Sequence, residues 1–171
     1  MRTLEQNIEI LDDIVLAVCD VYPVDDDEYI EPETMIEYNR DPRVKQDGIH
    51  YQIDVWVNSD TNCIHIADIK RYSTNKNKLL EIITNNLLSV CKKYGFNGVT
   101  AHAVRGSRYN GYYSFIAAGY DSVLSNQNKI TIETQSGVCE PAFDKASQYV
   151  EKYGLHWWRQ YGCTVDVLKL A

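Results

Sequence analysis

The sequence predicts an α/β domain: a mixed, mainly antiparallel sheet flanked by helices, with an extra helix and strand at the C-terminal end. Three observations carry this. Residues 49–58, "IHYQIDVWVN", alternate apolar and polar side chains at the strand period. Residues 79–94 place Leu79, Ile83, Leu87 and Val90/Cys91 on one helical stripe. The two periods interleave along the chain, strand pair then helix then strand, rather than segregating by type. The chain has 171 residues, no internal repeat and no linker-like segment, so a single domain over 1–171 is expected.

Each element has its own signal. Thr3 and Gln6 fit a capping box opening a helix, with Leu4, Ile8, Leu11, Val15 and Val18 as its apolar stripe. The run Asp25, Asp26, Asp27, Glu28 reads as a solvated loop, because a calcium loop needs spaced oxygens and a glycine turn. "PETMIEYNR" is expected to be a short helix stopped by Pro42. "SDTN" is a turn, and "CIHIADIKRY" returns antiparallel as the second arm of a hairpin. Lys92 and Lys93 suit the C-terminal end of the following helix, which Gly95 stops. "GVTAHAV" is small and apolar enough for a central strand, and the crossover over 62–104 should be right-handed and parallel. "GYYSFIAAGYDS" reads as a short helix ending on Gly119. "DSVLSNQNKITIET" reads as two short strands about an "SNQN" turn. "PAFDKASQYVEKYG" shows a helical face of Phe143, Ala146, Val150 and Tyr153, and "CTVDVLKL" ends the chain as a strand.

Composition narrows the function classes. Seventeen Lys+Arg against 24 Asp+Glu give a net charge of −7, which argues against nucleic acid as a partner. Five cysteines, at 19, 63, 91, 139 and 163, form no CxxC, so a zinc ribbon is not expected and no spacing of His, Cys and Asp suggests any metal. Their odd number suits a reducing compartment. No apolar run has the length of a membrane span, and "MRTLEQNIEILDD" is too polar for a signal peptide, so a cytoplasmic protein without membrane contact is expected.

The order of elements over residues 49 to about 134 resembles the GNAT superfamily of N-acetyltransferases. "CIHIADIKRY" resembles that family's cofactor-side strand, "NKLLEIITNNLLSVCKKYGF" its long helix, and "GVTAHAV" its next strand. "YYSFIAAGYDS" resembles the short helix that follows, with Gly119-Tyr120 where the family has Gly-Phe. The resemblance implies acetyl-CoA as cofactor, with Ile69 on the strand and Arg71, Thr74 and Lys76 near the pyrophosphate. Arg71 matches the first position of the family's Arg/Gln-x-x-Gly-x-Gly/Ala turn, whereas Thr74 and Lys76 stand at its two glycine positions. Threonine still offers a backbone N–H and adds a hydroxyl, and lysine meets phosphate by charge. The family's tyrosine, four residues before the glycine, is Phe115 here. Tyr112 and Tyr113 are the remaining acid candidates, although on a helix they lie roughly 200–300° around from that position. Asp68 is the candidate base.

Two functional readings follow from the resemblance. One is an acetyl-CoA-dependent N-acyltransferase acting on a small-molecule or protein amine. The other is a GNAT-like domain without that chemistry, serving as a binding or structural protein; an Asn- and Tyr-rich composition suits a phage or mobile element. Relatives of this fold are commonly dimers, so a homodimer or a protein partner is expected. Arg105 and Arg108, in a glycine-containing loop, and the adjacent Trp157 and Trp158 are the candidate substrate or partner surface. Neighbouring tryptophans cannot both face one core, so one should be buried and the other should lie at a surface. His65 and His102 are strand histidines, read first as structural groups.

Overall fold

The computed structural model describes residues 2–18, 28–31, 35–39, 44–46, 49–71, 79–138 and 142–171. Asp25–Asp27, Thr74, Lys76, Cys19 and Cys139 lie outside the described residues. The chain forms two compact units, one of residues 1–100 with 170–171 and the other of residues 101–169. The division falls within a strand, where no change of composition marks it.

The first unit contains α1 (Leu4–Val18), β1 (Glu28–Glu31), β2 (Met35–Asn39), β3 (Val44–Gln46), β4 (Ile49–Asn58), β5 (Cys63–Arg71), α2 (Leu79–Tyr94) and the start of β6 (Gly98–Ala103). Its strands run in the order β1-β2-β4-β5-β6, with β3 also paired to β4. Every pairing from β1 to β5 is antiparallel. The β5–β6 pair breaks that pattern. The Asn97 amide donates to the Asn62 carbonyl at 2.8 Å, and His65 Nδ1 meets Thr100 Oγ1 at 2.9 Å. Both pairs are 35 residues apart, and a constant offset means parallel strands. Helix α2 is the crossover that a parallel pair requires.

The core of this unit follows the two periods. Ile53, Val55 and Val57 of β4 and Ile64 and Ile66 of β5 are buried, along with Leu79, Ile83, Leu87, Val90 and Cys91 of α2. A register shift between Asp54 and Val55 puts one extra residue into β5, so its alternation changes phase beyond Ile66. The α1 box is present: Thr3 N donates to Gln6 Oε1 at 2.8 Å and Gln6 N to Thr3 Oγ1 at 3.2 Å. The α1 stripe is rotated from the expected one. Ile10, Leu11, Ile14, Val15, Ala17 and Val18 are buried, whereas Leu4 and Ile8 are 51% and 42% exposed. The expected and observed stripes share Leu11, Val15 and Val18; the tighter Ile10/Ile14 pair decides the phase. "MIEYN" is strand β2, not a helix. It pairs with β1 on one side and β4 on the other, so its backbone groups find partners in the sheet that a five-residue helix would lack.

Helices α1 and α2 are tied by polar contacts as well as by their apolar faces. Asn86 Nδ2 donates to the Ala17 carbonyl at 3.0 Å. Asp13 accepts from Lys93 Nζ at 2.7 Å and from the Tyr94 hydroxyl. Burial alone would raise the Asp13 carboxyl, but the hydrogen bonds from Lys93 and Tyr94 and the lysine charge outweigh it, so its pKa lies below the ordinary aspartate value.

The second unit continues β6 and adds the hairpin β7 (Arg105–Gly106) and β8 (Tyr109–Asn110). It also holds the helices α3 (Gly111–Ala117), α4 (Asn126–Ser136), α5 (Ala146–Tyr153) and α6 (Leu155–Tyr161), and all but the last residue of the strand β9 (Val165–Leu170). β9 lies beside β6. His102 meets Asp166 and the Arg105 amide meets Thr164, so one strand descends as the other rises and the pair is antiparallel. The expected two strands over 121–134 are instead two isolated bridges, Asp121 to Leu168 and Val123 to Lys145, followed by α4. Ser125 caps α4: its Oγ accepts from Asn128 N, and Asn128 Oδ1 accepts from Ser125 N, both at 3.1 Å. The β-branched run that suggested strand is absorbed into the helix. Thr131 and Thr134 turn their hydroxyls back to the carbonyls of Gln127 and Ile130. Helix α5 starts at Ala146, later than expected, with Phe143 before it packed edge-on against Tyr149 at 5.0 Å.

Candidate functional site

In the first unit, the residues that resemblance assigns to chemistry gather at the C-terminal end of β5. Asp68 is exposed, with Asp54 as its partner across the strand pair. Ile69 is half-buried opposite Ile53, and Arg71 closes the strand opposite Tyr51. Helix α2 begins at Leu79, so its N-terminal amides follow the end of a strand in a parallel β-α-β unit. In that topology ligands are held beyond the carboxyl ends of the strands, where helix amides point outward and favour anions. Thr74 and Lys76 belong to the connection between β5 and α2, outside the described residues. Farther back on β5, His65 is half-buried, bonded to Thr100, and its ring meets Trp56 edge-on at 5.3 Å.

In the second unit, α3 and α6 hold the other candidates. Tyr112 is buried, and its hydroxyl donates to the Arg159 carbonyl. Its own carbonyl accepts from the Trp158 indole Nε1 at 2.9 Å. These reciprocal bonds pin α3 to α6 and give Tyr112 an architectural task. Phe115 is buried edge-on against Tyr120 at 5.0 Å. The chain leaves α3 through Gly119, whose φ of +90° suits glycine. Tyr113 is half-buried beneath the Arg159 guanidinium, 5.0 Å from its ring centre. Among the described residues its hydroxyl has no hydrogen-bond partner.

The tryptophan pair divides as expected. Trp158 is fully buried, whereas Trp157 is half-buried, stacked on Tyr149 at 5.5 Å and on Tyr153 at 4.6 Å. Gly162 is required beside Trp158, because a Cβ there would lie 2.7 Å from the indole. Arg105 is engaged within its own unit. It donates to the carbonyls of Gln160, at 2.9 Å, and Gly162, satisfying the end of α6, and its guanidinium lies 4.9 Å from the Tyr112 ring centre. Arg108 is exposed in the β7–β8 turn. Two features escaped sequence reasoning. Arg105 as a helix cap has no sequence signature, since its partners lie 55 and 57 residues away. The His102 Nδ1 to Asp166 Oδ1 pair, 2.7 Å across β6 and β9, was half visible: His102 alternates against buried Ala101 and Ala103.

Cys91 and Cys163 are not poised as nucleophiles. Burial pushes the Cys91 thiol up to about 12 and the Cys163 thiol up to about 11, far from thiolate at neutral pH. Among the described residues no group of three His, Cys, Asp or Glu side chains is placed to hold a metal ion. Nor, among them, is any helix long and apolar enough to cross a membrane. No protein-family model matches the chain, and no curated protein is significantly similar to it.

Proposed function

We propose that the chain is an acetyl-CoA-dependent N-acyltransferase of GNAT-like design, acting on an amine. The observation that supports this most is the parallel pair β5–β6, spanned by the long helix α2, beside a run of antiparallel strands. That arrangement sets a helix N-terminus beyond the end of β5, a natural place for a pyrophosphate. Arg71 adds a fixed positive charge at the strand end, and Thr74 and Lys76 contribute an amide, a hydroxyl and a second charge. The acyl donor brings the thioester that the amine attacks. Asp68, exposed on the same strand, accepts the amine proton directly or through water. The departing thiolate takes up a proton from solvent.

A second reading has its own support. Phe115 buried in the core and Tyr112 engaged in holding α3 to α6 suit a domain that keeps the architecture and serves as a binding module. Calorimetric titration with acetyl-CoA separates the two. The acyltransferase reading expects saturable one-site binding that weakens about tenfold or more in Arg71→Ala. Absence of heat at millimolar acetyl-CoA leaves the binding-module reading.

A further inference from the structure

Two of the described cysteines meet in the core of the first unit. Cys63 opens β5 and is buried; Cys91 lies in the last turn of α2 and is fully buried. Both are free thiols, and the acyltransferase reading uses neither. The turn before Cys63 is bonded to the turn after Cys91. Asn97 N donates to the Asn62 carbonyl at 2.8 Å, Asn97 Nδ2 to the Thr61 carbonyl at 2.9 Å, and Asn62 Nδ2 to the Gly95 carbonyl at 2.9 Å. Phe96 N returns to the Cys91 carbonyl at 2.9 Å and closes α2 against this turn. The Ile64 amide donates to the Cys91 sulfur. That amide nitrogen is joined to the Cys63 Cα through one carbonyl carbon, so the Cys91 sulfur lies against the peptide that leaves Cys63. The two thiols also feel each other's charge: after burial, Cys63 is the next cause that holds the Cys91 thiol up at about 12. Cys163, in the second unit, meets the Asn128 carbonyl instead.

We propose that Cys63 and Cys91 are an oxidisable pair, converted by a peroxide to a reversible disulfide that clips the start of β5 to the end of α2. Ser59, Asp60 and Thr61, in the turn that leads to Cys63, are exposed, so opening of that turn admits the oxidant. The Cys63 sulfur attacks one oxygen of hydrogen peroxide and breaks the O–O bond; the other oxygen takes the thiol proton and leaves as water. The Cys91 sulfur then attacks the Cys63 sulfenic sulfur, the S–O bond breaks, and the hydroxide leaves with the Cys91 proton as a second water. Two thiols lose two electrons and the peroxide gains them. Cys91 is protonated at neutral pH and acts only as the resolving thiol, its slow chemistry helped by being held beside Cys63. The loop so closed, residues 63–91, contains Asp68, Ile69, Arg71 and the start of α2. The clip therefore restrains the unfolded chain across the whole β5–α2 junction. Neither step involves acetyl-CoA, so the clip stands apart from the acyltransferase reading.

Treatment of the full folded chain with hydrogen peroxide, then alkylation in denaturant and non-reducing peptide mapping by mass spectrometry, tests it. The expected product is a single chain lighter by two hydrogens, with the Cys63 and Cys91 peptides joined and separated again by dithiothreitol. The linked chain should unfold at a urea concentration higher by about 1 M or more. Cys163→Ala should link as the wild type does. Cys91→Ala should leave Cys63 as a sulfenic acid that dimedone traps, with far-ultraviolet circular dichroism confirming that each variant is folded. Cys63 and Cys91 both alkylated after peroxide overturn the proposal, as does a link from either to another cysteine or another chain, or one that forms only in denaturant. A linked chain no more resistant to urea than the reduced one overturns the clip.

Discussion

Replacing Trp158 by phenylalanine should cost far more stability than the same change one residue earlier. Trp158 is fully buried, and its indole N–H bonds the Tyr112 carbonyl at 2.9 Å inside the core. Losing that hydrogen bond costs about 0.5–1.5 kcal/mol. The smaller ring leaves unfilled volume beside Gly162 and Tyr149, worth about 1–3 kcal/mol more. The sum, about 1.5–4.5 kcal/mol, lowers Tm by on the order of 10 °C for a chain of this size. Trp157→Phe keeps an aromatic ring between Tyr149 and Tyr153 and vacates space that solvent already reaches, so it should cost less than about 1 kcal/mol. Urea unfolding followed by circular dichroism gives both numbers. Equal losses for the two variants, or a Trp158→Phe protein as stable as wild type, would refute the assignment of Trp158 to the core and Trp157 to its rim.

Two further perturbations read other parts of the account. Asp13→Asn should cost about 1–2 kcal/mol at neutral pH, because it removes the charged acceptor for Lys93 and Tyr94. The Asp13 pKa is depressed in the folded state, so its contribution is present above the ordinary aspartate value and is lost as pH falls through the folded one. The Tyr94 pKa is pushed up to about 12, first by burial and then by its bond to Asp13, so that contribution is lost as pH rises past the ordinary tyrosine value towards about 12. Chemical denaturation across pH should therefore show shallower acid and alkaline slopes in Asp13→Asn; unchanged slopes would contradict the clamp. Ser125→Ala should cost about 1 kcal/mol by removing the α4 cap, while Ser125→Asn should restore most of it. An Ala variant of wild-type stability would show that α4 does not depend on its box.

Much of the fold was legible where one physical signal dominated. The β4 alternation, the α2 stripe and the Thr3/Gln6 box each named their elements, because burial and capping there follow from neighbours in sequence. Legibility failed where partners were remote or signals competed. In α4, β-branched Ile130, Thr131, Ile132 and Thr134 spoke for strand, and a two-residue cap outweighed them. In β2, sheet partners on both sides decided a segment whose own pattern was ambiguous. In α1, two overlapping stripes fitted the sequence, and packing against α2 selected one. The candidate site was read less completely than the fold. The strand carrying Asp68, Ile69 and Arg71 was found as the returning arm of a hairpin, but the work of Tyr112 and Arg105 depends on carbonyls some 50 residues away that no local pattern foretells.

The proposed acyltransferase stands or falls at the junction of β5 and α2. Hydrogen–deuterium exchange of the full chain, with and without saturating acetyl-CoA, tests it most directly by following peptides that cover residues 69–82. The account predicts slowed exchange at the α2 N-terminal amides when acetyl-CoA is present, and loss of that protection in Arg71→Ala. Exchange at 69–82 that acetyl-CoA leaves unchanged would contradict it.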